Sequence, residues 1–327
     1  MKGFNVVMRM VTLGVMMVIA GSVAAQQAFP SKPIRFIVPF PPGGSTDPVA
    51  RLVGQKMTES WSQPVIVDNR PGGNTVIGTE ALVKSAPDGY TILLVAPSTH
   101  VVNSLLLRNL PYDSMNDFAP VATLTRSEYI LAFNPSVPAD NLQELVALAK
   151  SKPGELNYAS SGSGTGTHLA GELFNMVAGV KIQHIPYKGS GPAVTDLIGG
   201  QVQMYLCSPA VAIPHIKSGR LKAIAVSGET RMTALPQVLT FAESGLPGFD
   251  ATTWYGVLAP AGTPKPIINK LSSEMAKIVV MPDIKDKLVS QGMGPFHSGP
   301  EQFAALMKAD MTRFAKVIKA ANIKLED

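Results

Sequence analysis

The sequence predicts an α/β protein, built as two β-α domains around a ligand cleft and joined by crossing hinge strands. Three observations lead there. Short apolar strands alternate with amphipathic helices through both halves of the chain, as in sheets covered by helices. Three glycine-rich turns fall where a strand hands over to a helix: Pro41-Pro42-Gly43-Gly44-Ser45-Thr46-Asp47, Asn69-Arg70-Pro71-Gly72-Gly73-Asn74-Thr75 and Ser160-Ser161-Gly162-Ser163-Gly164-Thr165-Gly166-Thr167-His168. The chain has 327 residues, enough for two domains of about 150 each once a leader is set aside.

That leader is residues 1–25, read as a secretory signal peptide. Lys2 and Arg9 give a basic start, Met10 to Ala20 is apolar, and Val23-Ala24-Ala25 offers a cleavage site. The apolar run is short for a bilayer span of about 20 residues. The expected compartment is the periplasm. Cys207 is the only cysteine, so no internal disulfide can form. The chain carries 28 basic and 23 acidic residues. Removing the leader takes away two bases and no acid, leaving an excess of about three. No long basic run occurs, which argues against nucleic-acid binding.

The elements follow in order. Ile34 to Val38 is a buried strand closed by the first glycine turn. A helix from about Thr46 to Glu59 puts Val49, Leu52, Val53 and Met57 on one face. Pro64 to Asp68 is a strand, Thr75 to Ser85 a helix, and Thr91 to Ala96 a strand, with Ser98 or Thr99 able to cap the next helix. The result is a parallel sheet whose strand ends carry the glycine turns. Ligands bind at such ends. Phe118–Leu124 and Tyr129–Phe133 are strands crossing between domains. Asn141 with Glu144 makes a capping-box-like start. The second series runs through strand Asn157–Ser160, helix Thr165–Val177, strand Lys181–Ile185, helix Gly191–Ile198, and strands Val202–Leu206 and Leu221–Val226. Thr253–Leu258 crosses back. Pro264–Val280, Asp283–Gln291 and Pro300–Ala321 are helices on the outside of the first domain. Domain one is therefore 26–125 with 254–327, and domain two is 126–253.

Glycine at a helix start lets an anion approach unpaired N–H groups and a partial positive charge. Turns from both halves suggest a cleft gripping an anion from two sides. None is a P-loop or a dinucleotide fingerprint. Ser161, Thr165 and His168 are candidate donors to a carboxylate, although His168 reads equally well as an ordinary helix histidine. Asp47 reads as a capping side chain, and Arg70 as either an anion contact or a solvated structural group. The five histidines are scattered, with no His-Glu-x-x-His or Cys/His cluster, so no metal, cofactor or catalytic group is expected. Cys207 ends a strand whose neighbours could face the cleft.

Several stretches together resemble the Bug receptors, the periplasmic solute-binding proteins of tripartite tricarboxylate transporters. They are Val38–Asp47, Asn69–Gly73, Ala86–Thr91, Tyr158–Gly162, Pro186-Tyr187-Lys188-Gly189, Trp254-Tyr255-Gly256 and Ala259–Pro264, in the family's order over essentially the whole mature chain. The resemblance implies a type II periplasmic-binding-protein fold closing on a small carboxylate, and two membrane permease subunits as partners of a monomeric receptor. It carries ligand contact to Phe40, Gly44, Ser45, Ser160, Ser161, Thr165 and His168, with Ser98 and Thr99 added from the third strand's end. Two departures stand out. Gly72-Gly73-Asn74-Thr75 replaces the end of the family's usual Asn-Arg-Pro-Gly-Ala-Gly-Gly run. Cys207 stands where many relatives carry aspartate, which implies a ligand without a cationic amine: a dicarboxylate or an aromatic carboxylate. The competing functions are a sensor for a signalling system, and an exported hydrolase using Ser161 or Ser163 with His168.

Overall fold

The computed structural model describes residues 29–249, 251–320 and 323. The leader at residues 1–25 lies outside the described residues. Two mixed sheets organise the rest. The first holds β1 (Ile34–Val38), β2 (Val65–Asn69), β3 (Thr91–Val95), β4 (Phe118–Glu128), β10 (Thr252–Pro260) and β11 (Met293–Pro295), in the order β11-β4-β10-β3-β1-β2. The second holds β5 (Ile130–Phe133), β6 (Asn157–Ser160), β7 (Gln183–Pro186), β8 (Met204–Cys207) and β9 (Lys222–Val226), in the order β7-β6-β8-β5-β9.

The sheets are not purely parallel as expected. β1 pairs in parallel with β2 and β3, but β10 runs antiparallel between β3 and β4. In the second sheet β6 is parallel to β7 and β8, whereas β5 is antiparallel to β8 and β9. β10 enters the first sheet from the second half and β5 enters the second sheet from the first, whereas β11 adds a further antiparallel edge beside β4. Only Tyr129 separates β4 from β5. The first crossing is tied to the start of the second through Ser227, which follows β9: Tyr129 N–H donates to Ser227 Oγ at 2.8 Å, Ser227 N–H donates to Tyr129 O at 2.9 Å, and Ser227 Oγ donates to Ala251 O just before β10.

Strand alternation sorts side chains to the two faces. Ile34, Phe36 and Val38 face a core shared with Val49, Val53 and Met57 of α1 (Thr46–Trp61) and with Leu271 and Met275 of α8 (Lys265–Val279). Ile37, Leu93 and Val95 face the opposite core, with Trp254 and with Phe303 of α10 (Pro300–Ala320). In the second sheet Tyr158, Met204 and Leu206 pack with Phe174 of α5 (Gly166–Ala178), and Ala159, Tyr205 and Cys207 with Leu197 of α6 (Ser190–Ile198).

The remaining helices are α2 (Val76–Val83), α3 (Asn103–Leu106), α4 (Leu142–Ser151), α7 (Pro209–Lys217) and α9 (Pro282–Ser290). The capping-box-like start of α4 forms with a one-residue offset: Asn141 Oδ1 accepts the Glu144 N–H at 2.9 Å, and Glu144 Oε2 accepts the N–H of the preceding Asp140 at 2.8 Å. Helix α10 does more than cover the first sheet. Its Phe314 and Ile318 pack with Val102 and with Leu169 of α5, so it also touches the second half. Sequence reading missed α7 and the three-residue β11.

Candidate functional site

The glycine turns that follow β1 and β6 meet across a small chamber of about 110 Å³. Its floor comes from the crossing strands, through Tyr129, Thr253 and Tyr255. The first turn contributes Phe40, Gly44 and Ser45, the third contributes Ser161, Thr165 and Thr167, and the segment after β7 contributes Lys188 and Ser190. Outside lies a larger vestibule of about 660 Å³, lined by Gly72–Thr75, Ser161–Thr165 and Tyr187–Gly189. The two share Phe40, Pro41, Ser98, Ser161, Thr165, Lys188 and Gly189. Among the described residues lining either space there is no carboxylate, and Lys188 is the one cation.

Local bonds hold each turn. Asp47 does not cap α1. Its Oδ2 accepts from Arg51 Nε at 2.8 Å and its Oδ1 from Asn69 Nδ2 at 2.9 Å, while the same Asn69 nitrogen reaches Phe40 O at 3.2 Å. The first turn is thus pinned to the end of β2. Ser45 Oγ lies 2.6 Å from the buried Tyr255 hydroxyl. Arg70 is a structural group, its Nε 2.9 Å from Asp68 Oδ2. The second turn runs through four successive positive φ values, including 76° at the β-branched Thr75, an outlier for that residue type. Asn103 Nδ2 steadies it by donating to Asn74 O at 2.6 Å. This turn lines the vestibule and not the chamber.

Thr167 is the hub of the third turn. Its Oγ1 accepts the Ser161 N–H at 2.9 Å and lies 3.1 Å from Ser161 Oγ and 2.9 Å from Thr165 Oγ1. Thr165 Oγ1 also donates to Gly162 O at 2.7 Å. Glycine is required at 166, where a Cβ would stand 2.2 Å from the Tyr129 hydroxyl. That contact brings α5 hard against the crossing strand.

Of the candidate residues, Phe40, Gly44, Ser45, Ser98, Ser161 and Thr165 line the chamber. Thr99, Ser160, His168 and Cys207 are placed behind its wall. Thr99 exchanges both its bonds with Ala96 and does not cap the following turn. Ser160 Oγ lies 2.6 Å from His184 Nε2 and is fully buried. His168 Nδ1 accepts the Gly164 N–H at 3.0 Å, and its ring stacks on His184 at 3.8 Å. Burial lowers the His168 imidazole to about 4, and burial with the neighbouring His168 lowers His184 to about 3. Cys207 points into the core beside α6, where burial pushes its thiol well above the usual range. Its separation from the chamber removes direct contact as the reason for a ligand without an amine.

Ser161 Oγ and His168 are each engaged elsewhere, and the serine–histidine pair that does form, buried Ser160 with half-buried His184, does not line the chamber. Tyr129, Thr167, Lys188, Ser190, Ser208, Thr253 and Tyr255 line the chamber but were not singled out from sequence as ligand contacts. Lys188 and Tyr255 sit inside stretches that carried the family resemblance. Ser208 had no signal beyond following Cys207.

Residues 49–323 match the tripartite tricarboxylate transporter family receptor. The chain belongs to this family. As a member it is a solute-binding receptor and not an enzyme. The chain is 38% identical to protein BugT of Bordetella pertussis over 325 residues, covering 98% of this chain and 100% of that one. Its fold matches the structure of Rhodopseudomonas palustris Rpa4515 with adipate at TM-score 0.88, with 33% identity over 90% of this chain and 99% of that one. It matches MatC of the same organism, with bound malate, at TM-score 0.82, with 32% identity over 89% and 100%. The expected two-domain α/β periplasmic-binding-protein fold and the Bug-receptor resemblance are both borne out.

Proposed function

We propose that the protein is a periplasmic receptor for a small carboxylate, which it delivers to the two membrane components of a tripartite transporter. Residues 26–125 with 254–327 form one closing domain, and residues 126–253 the other. The observation that carries this reading is the chamber itself: hydroxyl side chains from two glycine turns on different sheets, one lysine, and no lining carboxylate among the described residues. Charge-assisted bonds from such donors offset the desolvation of an anion. The same absence of acidic lining groups, and not Cys207, disfavours a cationic amine on the ligand. The relatives with adipate and malate support the ligand class. The crossings tied at Tyr129 and Ser227 form the hinge, and a monomer suffices for closure.

The test is thermal unfolding of purified protein, stripped of ligand by unfolding and refolding. The panel holds mono-, di- and tricarboxylates, aromatic acids and amino acids. A ligand at 100 times its dissociation constant adds about 2.7 kcal/mol. Stabilisation by a non-amino carboxylate is the expected result. Stabilisation by amino acids alone, or by none of the panel, overturns the reading.

A further inference from the structure

Ser208 stands between β8 and α7 in the extended conformation of a helix cap (φ −66°, ψ 147°), yet its side chain makes no capping bond. It is 4% exposed, it lines the chamber, and its Oγ is buried without a partner. Among the described chamber-lining residues no other buried side-chain polar atom is left in that state. Buried hydroxyls are ordinarily bonded, and one left alone is costly. A group arriving from the chamber would complete it.

The backbone beside it has the same bias. Helix α7 is nine residues long and begins with Pro209, which has no N–H, so its first N–H belongs to Ala210. The N–H groups of Val211 and Ala212 return to Ser208 O at 3.0 and 3.1 Å. A helix start carries partial positive charge. This start is also held from the other sheet: at Gly292, just before β11, a Cβ would lie 2.2 Å from Pro209 Cβ. Pro209, next to Ser208, is therefore packed against the segment that leads into β11.

We propose that Ser208 Oγ and the start of α7 form a second oxyanion subsite, which selects a ligand carrying a carboxylate at each end. This rests on the receptor reading above. One carboxylate occupies the donors of the first and third glycine turns, and the other accepts from Ser208. An aromatic monocarboxylate would leave the Ser208 hydroxyl unpaired, so the dicarboxylate is the favoured class.

The experiment measures calorimetric affinities of wild type, Ser208→Ala and Ser208→Thr. The probes are succinate, glutarate and adipate, each matched with butyrate, valerate or hexanoate. Wild type should prefer a diacid to its matched monoacid. Ser208→Ala should lose about tenfold on the diacid, which is about 1.4 kcal/mol, and nothing on the monoacid. Ser208→Thr should keep the preference. Because the side chain caps nothing and its hydroxyl has no partner, the ligand-free melting temperature of Ser208→Ala should match or exceed that of wild type. Equal losses on both ligand types, no loss, a lower ligand-free melting temperature, or a wild-type preference for monoacids each overturns the subsite and leaves the receptor reading standing. Failure of wild type to bind any of the six overturns the subsite, and failure to bind any carboxylate of the wider panel overturns the receptor reading with it.

Discussion

His168 links the third glycine turn to the stability of the second sheet, and acid should expose that link. Its ring is 6% exposed, accepts the Gly164 N–H at Nδ1, and stacks on His184 with 9° between the planes. Glu172 Oε1 lies 4.0 Å from Nε2 but already accepts the Tyr158 hydroxyl at 2.5 Å. Burial prevails, and the imidazole falls from 6.5 to about 4. Above pH 6.5 the ring is neutral in both folded and unfolded chains and adds no pH dependence. Between pH 6.5 and about 4 the unfolded chain takes up a proton that the native ring refuses, so stability falls as pH falls. Below about 4 both forms are protonated and the loss stops. At 1.36 kcal/mol per unit, the loss is about 3 kcal/mol, a large share of the ordinary 5–15 kcal/mol. His168→Asn keeps an acceptor for Gly164 and cannot titrate. Urea unfolding from pH 7.5 to 4 should show wild type losing about 3 kcal/mol more than the variant. Parallel stability curves would refute the reasoning.

Three further outcomes are expected. Gly171→Ala places a Cβ 2.2 Å from Tyr158 Cε2 in the second core, and overpacking of this kind should cost about 1–3 kcal/mol in urea unfolding. An unchanged midpoint would mean α5 is free to shift. Lys188→Met removes the one cation on the chamber lining. Because Lys188 is exposed, carboxylate affinity should drop only about two- to fivefold at low salt, and the difference should vanish in 1 M salt; a salt-independent loss would contradict an electrostatic role. Gly189, at φ 106°, faces Pro41 across the cleft, with space for a Cβ only 3.5 Å from Pro41 Cγ. Gly189→Val should raise the ligand off-rate in stopped-flow while leaving the association rate within a few-fold, and an unchanged off-rate would show that this contact does not hold the closed form.

Much of the fold was readable because its local signals agree with one another. Strand β1 is five apolar or half-buried residues ended by prolines and glycines, and α1 repeats its apolar face at Val49, Val53 and Met57. The unread parts lack such agreement. Helix α7 contains Pro214, and an internal proline in a nine-residue segment reads as a loop. Strand β11 is three residues long and gains its partner from β4, far away in sequence. The direction of β10 within the first sheet depends on which sheet the chain has just left, and no local pattern encodes that.

The site was legible by neighbourhood and not by residue, for a geometric reason. Each candidate segment ends a strand or opens a helix, where adjacent side chains point in different directions. In three places the wall of the chamber falls between two neighbours. Ser160 is buried and Ser161 lines the chamber; Thr99 is buried and Ser98 lines it; Cys207 is buried and Ser208 lines it. Glycine and hydroxyl content locate the strand end, but the parity is set by the sheet register, such as Ile130 opposite Cys207 in β5 and β8. That register comes from antiparallel pairing with a crossing strand. The last pair matters most for specificity. Reading position 207 as a ligand contact ties ligand choice to the charge missing from cysteine. With 207 in the core, selection passes to an unpartnered hydroxyl at 208, which distinguishes ligands by whether they bring an acceptor to the far end of the chamber.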